Sequence, residues 1–241
     1  MTSSRKAIAR AVPVGLIALL IGAPAAAGQL ELALGLNPTM IQDPAYEAFS
    51  SDDLGATRFG LDLRYEVADL GRGLSLVPLL GYRYSVDEGY PLRAMDTRLE
   101  VHDFLAGLRL RARLGSWWGL FAEVQGGLLW AALEADLVDR SYWNEQGGRD
   151  RYADDRFTWQ AGGMAGIEMW ISRAWLQRNR PRRLGFGGEL AAGYLRRGEL
   201  EFIPGARGGD DLSLPMADPV SWGTVNLSGW FFQLAAVFTF R

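Results

Sequence analysis

The sequence predicts an all-β fold: a transmembrane, antiparallel, up-and-down β-barrel of eight strands. Three observations point to it. After the first 28 residues, long stretches alternate apolar and polar side chains, the mark of strands with two unlike faces. Aromatic residues gather toward the ends of the apolar faces. The opposite faces interleave charged residues with glycine, as crowding inside a small barrel requires.

The first segment is a leader. In "MTSSRKAIARAVPVGLIALLIGAPAAAGQ", Arg5, Lys6 and Arg10 precede an apolar run from Ala11 to Gly22, and Ala25-Ala26-Ala27 supply a small-residue cleavage site. The apolar run is shorter than the ~20 residues a spanning helix needs. Residues 1–27 are therefore read as a signal peptide cleaved after Ala27, and 28–241 as one barrel domain. Cysteine is absent, which excludes disulfides, thiolate metal sites and a lipidated cysteine anchor. No metal or cofactor motif is present. Of 25 basic side chains three lie in the leader, leaving 22 against 28 acids, a balance that argues against a nucleic-acid partner.

The alternating segments fall in order near residues 28–37, 58–67, 74–86, 101–114, 118–133, 157–171, 184–197 and 226–240. In "RFGLDLRYEV", Phe59, Leu61, Leu63, Tyr65 and Val67 oppose Arg58, Gly60, Asp62, Arg64 and Glu66. The last segment places Trp230, Phe232, Leu234, Ala236, Phe238 and Phe240 on one face. It is expected to pair with the first, because an open sheet edge in lipid leaves backbone groups unsatisfied. Phe59, Tyr84, Trp130, Trp159, Tyr194 and Trp230 mark one rim of an aromatic girdle, and Tyr65, Trp118, Phe186 and Phe240 the other. With both termini on the periplasmic side, 68–73, 115–117 and 172–183 become the inner turns. The outer loops are then 38–55, 87–100, 134–156 and 198–225, read as polar and solvated. Recruiting residues from 87–100 or 198–225 would make ten strands instead of eight.

Parity turns seven acids inward (Glu31, Asp62, Glu66, Asp103, Glu123, Glu168, Glu189) together with seven arginines (Arg58, Arg64, Arg83, Arg109, Arg111, Arg113, Arg197). Buried charges persist when paired and hydrogen-bonded, and eight strands leave an interior that side chains just fill. A salt-bridged plug is expected, centred on Asp62, Arg64, Arg109, Arg111, Glu123, Glu168 and Glu189. The alternative is a narrow passive pore for ions or small solutes lined by the same groups. The outer loops hold Tyr142, Trp143, Asp154, Asp155, Asp210 and Asp211, candidates for surface recognition or a cation site.

The leader, the eight alternating segments and the aromatic closing strand resemble the small outer-membrane barrels of the OmpA/OmpX type. The resemblance lies in architecture and covers nearly all of the chain after the leader. It implies a monomer in a bacterial outer membrane, in contact with its lipid and lipopolysaccharide. It also implies recognition of the last strand by the barrel-assembly machinery; Phe232, Phe238 and Phe240 match that pattern, and Arg241 after the last aromatic departs from it. A non-catalytic structural or surface-interaction role follows, with a porin-like pore as the alternative. A third reading, an outer-leaflet lipid-modifying enzyme, would use the single histidine. His102 stands in "EVHDFL", which lacks a serine two residues on, where the lipid A deacylase pattern places its nucleophile.

Overall fold

A computed structural model describes residues 29–48, 55–89, 95–137, 150–171, 184–203, 205–206, 221 and 223–240. The expected leader at 1–27 lies outside them, as do Tyr142, Trp143, Asp210, Asp211 and the expected turn 172–183. The strands are β1 (Leu30–Ile41), β2 (Thr57–Tyr65), β3 (Ala68–Gly71), β4 (Leu74–Gly89), β5 (Met95–Arg113) and β6 (Trp118–Leu137). They continue with β7 (Asp150–Trp170), β8 (Leu184–Arg197), β9 (Leu200–Glu201), β10 (Gly205–Ala206), β11 (Thr224–Val225) and β12 (Gly229–Phe240). Eight of these form a closed antiparallel ring in the order β1, β2, β4, β5, β6, β7, β8, β12. The ring closes where β1 pairs with β12, from Leu30 opposite Phe240 to Ile41 opposite Gly229.

The other four are short additions. β3 pairs with the start of β4 across a two-residue turn, Arg72-Gly73, in which both φ angles are positive. That is the twist-matched hairpin turn in which glycine fits readily. β10 pairs with the top of β7, and β9 with β11. Segments 87–100 and 134–156, expected as loops, lengthen the existing strands instead of adding new ones: β4 runs to Gly89, β5 begins at Met95, β6 runs to Leu137 and β7 begins at Asp150.

Along the ring the outward residues are apolar. Leu234 is 60% exposed, Phe157 67% and Val124 64%. So much contiguous apolar surface is a liability in water and a necessity in hydrocarbon. All ten girdle residues share this outward face. Toward the loop end Tyr84, His102, Trp130 and Phe157 form a run of ring contacts, with centroids 4.9, 4.7 and 6.2 Å apart, and Tyr194 meets Trp230 at 5.3 Å. From Trp118 to Trp130 the strand rises about 30 Å, taking ~3.3 Å per residue and a tilt of ~40°. The fold is a membrane-spanning barrel.

Above that girdle the polarity of the sheet inverts. On β4 to β7 the outward residues become Glu88, Asp96, Arg98, Glu100, Glu134 and Asp155, while on β5 and β6 the inward ones become Leu99, Val101, Leu129, Ala131 and Leu133, all buried. These pack with Tyr46, Leu200, Phe202, Val225 and Leu227 into one apolar cluster over the barrel mouth. Parts of the expected solvated loops 38–55 and 198–225 therefore fold inward. Phe202 and Leu227 are fully buried. Asp43 fastens the lid: its carboxylate accepts from the backbone N–H of Ala45 at 2.9 Å and of Asn226 at 2.7 Å. Asn226, Leu227 and Ser228, expected in the last spanning strand, belong to this lid, and β12 starts at Gly229.

Two outcomes follow. Leu234→Arg, at mid-height on the lipid face, should cost ~2–4 kcal/mol, and Glu134→Arg above the belt ~0–1 kcal/mol, as read by denaturant unfolding in bilayers. Phe202→Ala should remove ~3 kcal/mol of local packing from the lid, speeding proteolysis of the loop end while the barrel remains folded on unheated gels.

Candidate functional site

The lumen between the girdles holds the concentrated chemistry. Alternation directs one side chain in two inward, and the register stacks them in three layers.

The layer nearest the termini is centred on Arg111. Its guanidinium meets Glu31 at 2.6 and 2.8 Å and Glu168 at 2.7 Å, beside the Trp170 ring at 5.7 Å. Glu66 and Arg113, expected inside, lie at the rim, and Glu66 still reaches buried Arg111 at 3.5 Å. Their side chains are 16% and 39% exposed and pair with each other at 2.7 Å. Parity sets the face of a residue but not its height, and both stand where β2 and β5 leave the barrel.

In the middle layer Glu189 accepts from two arginines, Arg64 and, at 2.6 Å, Arg109. Arg109 also meets Glu123 at 2.8 Å, and its guanidinium lies 3.7 Å from the Phe121 ring centre. Arg64 turns back to Asp62 at 3.0 Å. Gly81 provides room for that carboxylate, since a Cβ there would stand 2.7 Å from Asp62 Oδ1. The cluster expected as one unit is thus divided: Asp62, Arg64, Arg109, Glu123 and Glu189 stay together, while Arg111 and Glu168 join Glu31 below.

The layer under the lid contains Arg58, Arg83 and Arg197. Asp103 Oδ2 lies 3.3 Å from Arg58 and 3.2 Å from Arg197. Arg83 donates to Gln125 Oε1 at 3.1 Å and stands 3.7 Å from Asp62. Arg197 links this layer to the lid: it donates to Gln160 at 3.2 Å and to the Leu227 carbonyl, and its backbone N–H donates to Ser228 Oγ at 2.7 Å. Along the β6–β7–β8–β12 side, Phe121, Met164, Ala191, Leu195 and Phe231 fill the space the charges leave. The sequence marks Phe231 as the exception on the polar face of its strand, whereas the inward ring of Phe121 was overlooked.

His102 faces outward at the upper girdle. Its Nδ1 is 2.8 Å from the Tyr82 hydroxyl and its ring stacks on Trp130. The neighbouring Ser85 points into the barrel and is buried. Asp154 receives the Ile203 N–H at 2.7 Å and Arg156 at 2.8 Å, so it fastens the lid edge. Among the described residues no set of three His, Cys, Asp or Glu side chains is placed to hold a metal ion.

No protein-family model and no curated protein matches the chain. Solved structures similar to it include Ail, the attachment invasion locus protein of Yersinia pestis (13% identity, 88% of this chain and 99% of that one, TM-score 0.44). Neisserial surface protein A is 9% identical over 90% and 97%, with a TM-score of 0.41. A major outer membrane protein from Thermus thermophilus is 12% identical over 89% and 100%, with a TM-score of 0.42. Likeness of this degree assigns neither family nor activity, and the barrel stands on the chain's own strand pairing.

Because Glu189 serves two buried cations, Glu189→Ala should destabilise by ~3–5 kcal/mol, the usual cost of stranding a buried charge. The double variant Arg64→Met/Glu189→Met should lose less than the sum of its single changes, measured as a double-mutant cycle in denaturant.

Proposed function

We propose that this chain is a bacterial outer-membrane barrel, exported by its leader, that is non-catalytic and non-conducting and serves as a rigid scaffold for contacts at the cell surface. One observation carries the reading: the passage is blocked twice, by three layers of inward charged side chains of both signs filled in with aromatic rings and by an apolar lid over them. Channels that select ions line water with rings of one sign, whereas here both signs alternate within hydrogen-bonding distance.

The loop end then faces outward. Above the girdle β4, β5, β6 and β7 stand as a twisted sheet whose outer face bears Glu88, Asp96, Glu100, Glu134 and Asp155 around Arg98. Such a surface favours cationic partners and the divalent ions that accompany lipopolysaccharide phosphates. The two aromatic rims match the headgroup levels of the bilayer. Phe232, Phe238 and Phe240 share the outer face of β12, where the assembly machinery would read them. With its lipid-facing surface served by acyl chains, the barrel acts as a monomer.

The test is planar-bilayer recording of the refolded protein, with Arg64→Ala alongside. The expected result is no stable current step from protein verified as folded. Reproducible steps that change in the Arg64 variant would establish a water-filled lumen and replace this reading with transport.

A further inference from the structure

The three layers are unequally balanced. Near the termini one buried arginine, Arg111, faces Glu31 and Glu168, with rim Glu66 answered by Arg113. Under the lid the inequality is reversed. Arg58, Arg83 and Arg197 are each at most 2% exposed and all lie within electrostatic reach of Asp103. One oxygen of that carboxylate is shared by Arg58 and Arg197. Asp62 is nearer to Arg64, at 3.0 Å, than to Arg83, at 3.7 Å. Asp87, the next carboxylate toward the mouth on β4, has interactions of its own.

Hydrogen bonding in this layer is also incomplete. Arg58 Nε and Nη2, Arg83 Nε and Gln125 Nε2 are buried and, among the described residues, donate to no hydrogen-bond acceptor. Arg58 Nη1 and Arg83 Nη2 face Asp103 and Asp62 only as ion pairs at 3.3 and 3.7 Å, and Asn37 Oδ1, Asp62 Oδ1 and Asp103 Oδ1 are likewise without a donor among the described residues. A guanidinium withdrawn from water is costly unless its hydrogen bonds are met. The face above them is apolar on β5 and β6, lined by Leu99, Val101, Leu129 and Ala131, with Ser85 and Asp87 turned inward beside it on β4.

We infer that the layer under the lid is a binding site for one small monovalent anion of the halide class, held by Arg58 and Arg83 with Gln125 as a neutral donor. One negative charge reduces the local excess, and a spherical ion accepts from several N–H groups without demanding a geometry. The site is enclosed by the lid and by the Arg109–Glu189 layer beneath, so a bulky organic anion is excluded. The inference concerns the lumen alone and is independent of what the outer face contacts.

The experiment uses the full chain without its leader, refolded in detergent. Thermal unfolding is followed in sodium bromide and, at matched ionic strength, in sodium gluconate. Crystals grown in bromide are measured at the bromine absorption edge. The expected result is a saturable rise in melting temperature with bromide that gluconate does not reproduce, and an anomalous peak beside Arg58 and Arg83. Gln125→Glu places a carboxylate beside Arg83 and should abolish the bromide-dependent rise while the protein still folds. Arg58→Met should also abolish it. Equal responses to the two salts, a crystal without a peak in this layer, or an undiminished bromide response in Gln125→Glu would each overturn the assignment.

Discussion

A sheet in hydrocarbon can have no edge. The strands β1 and β12 meet that demand by pairing across the seam from Leu30–Phe240 to Ile41–Gly229, and the rest of the molecule follows from that closure. A closed eight-stranded ring has one face for lipid and one for a narrow interior. The outward half of each strand must then be apolar, and the inward half must fill a space with little room for water. Polar side chains assigned to that interior have to satisfy one another. Arginine does so well, because its fork meets two carboxylates at once, as Arg111 does between Glu31 and Glu168. Flat rings then occupy the uncharged side, each within reach of a guanidinium: Phe121, Trp170 and Phe231.

The same logic explains the inversion at the mouth. Once β5, β6 and β7 rise beyond the lipid, their outer face meets water and their inner face can no longer count on the barrel wall opposite, because β1 ends at Ile41 and β8 at Arg197. On β5 and β6 that inner face is apolar, and loop segments cover it. The molecule thus joins two environments of opposite polarity along continuous strands, and Arg197 couples them by binding both Asp103 below and the Leu227 carbonyl above.

Much of this was legible in the residues. Period-two alternation shows which face each side chain takes, and the aromatic positions show where the lipid begins and ends. Height was harder to read. Glu66 and Arg113 have inward parity, yet their position at the rim depends on where neighbouring strands stop, which is a matter of register. The lid was missed because its apolar residues are few and sit in polar surroundings. A signal was present nonetheless: Leu200 and Phe202 within the segment taken for a solvated loop, and Val225 and Leu227 across its boundary with the last strand, repeat the two-residue spacing of a buried strand. Likewise Leu99 and Val101 alternate with Arg98 and Glu100, with the polarity of the lower strand exchanged.

The inverted sheet also constrains the path by which the molecule is built. A chain delivered from the side of its termini must carry Glu88, Asp96, Arg98, Glu100, Glu134 and Asp155 past the bilayer midplane, where an arginine alone costs ~2–4 kcal/mol. Hairpins of this kind cannot slide tip-first through lipid one at a time. Their charged tips need a sheltered passage, so the long central strands must cross together within a lined opening before the seam of β1 and β12 is sealed.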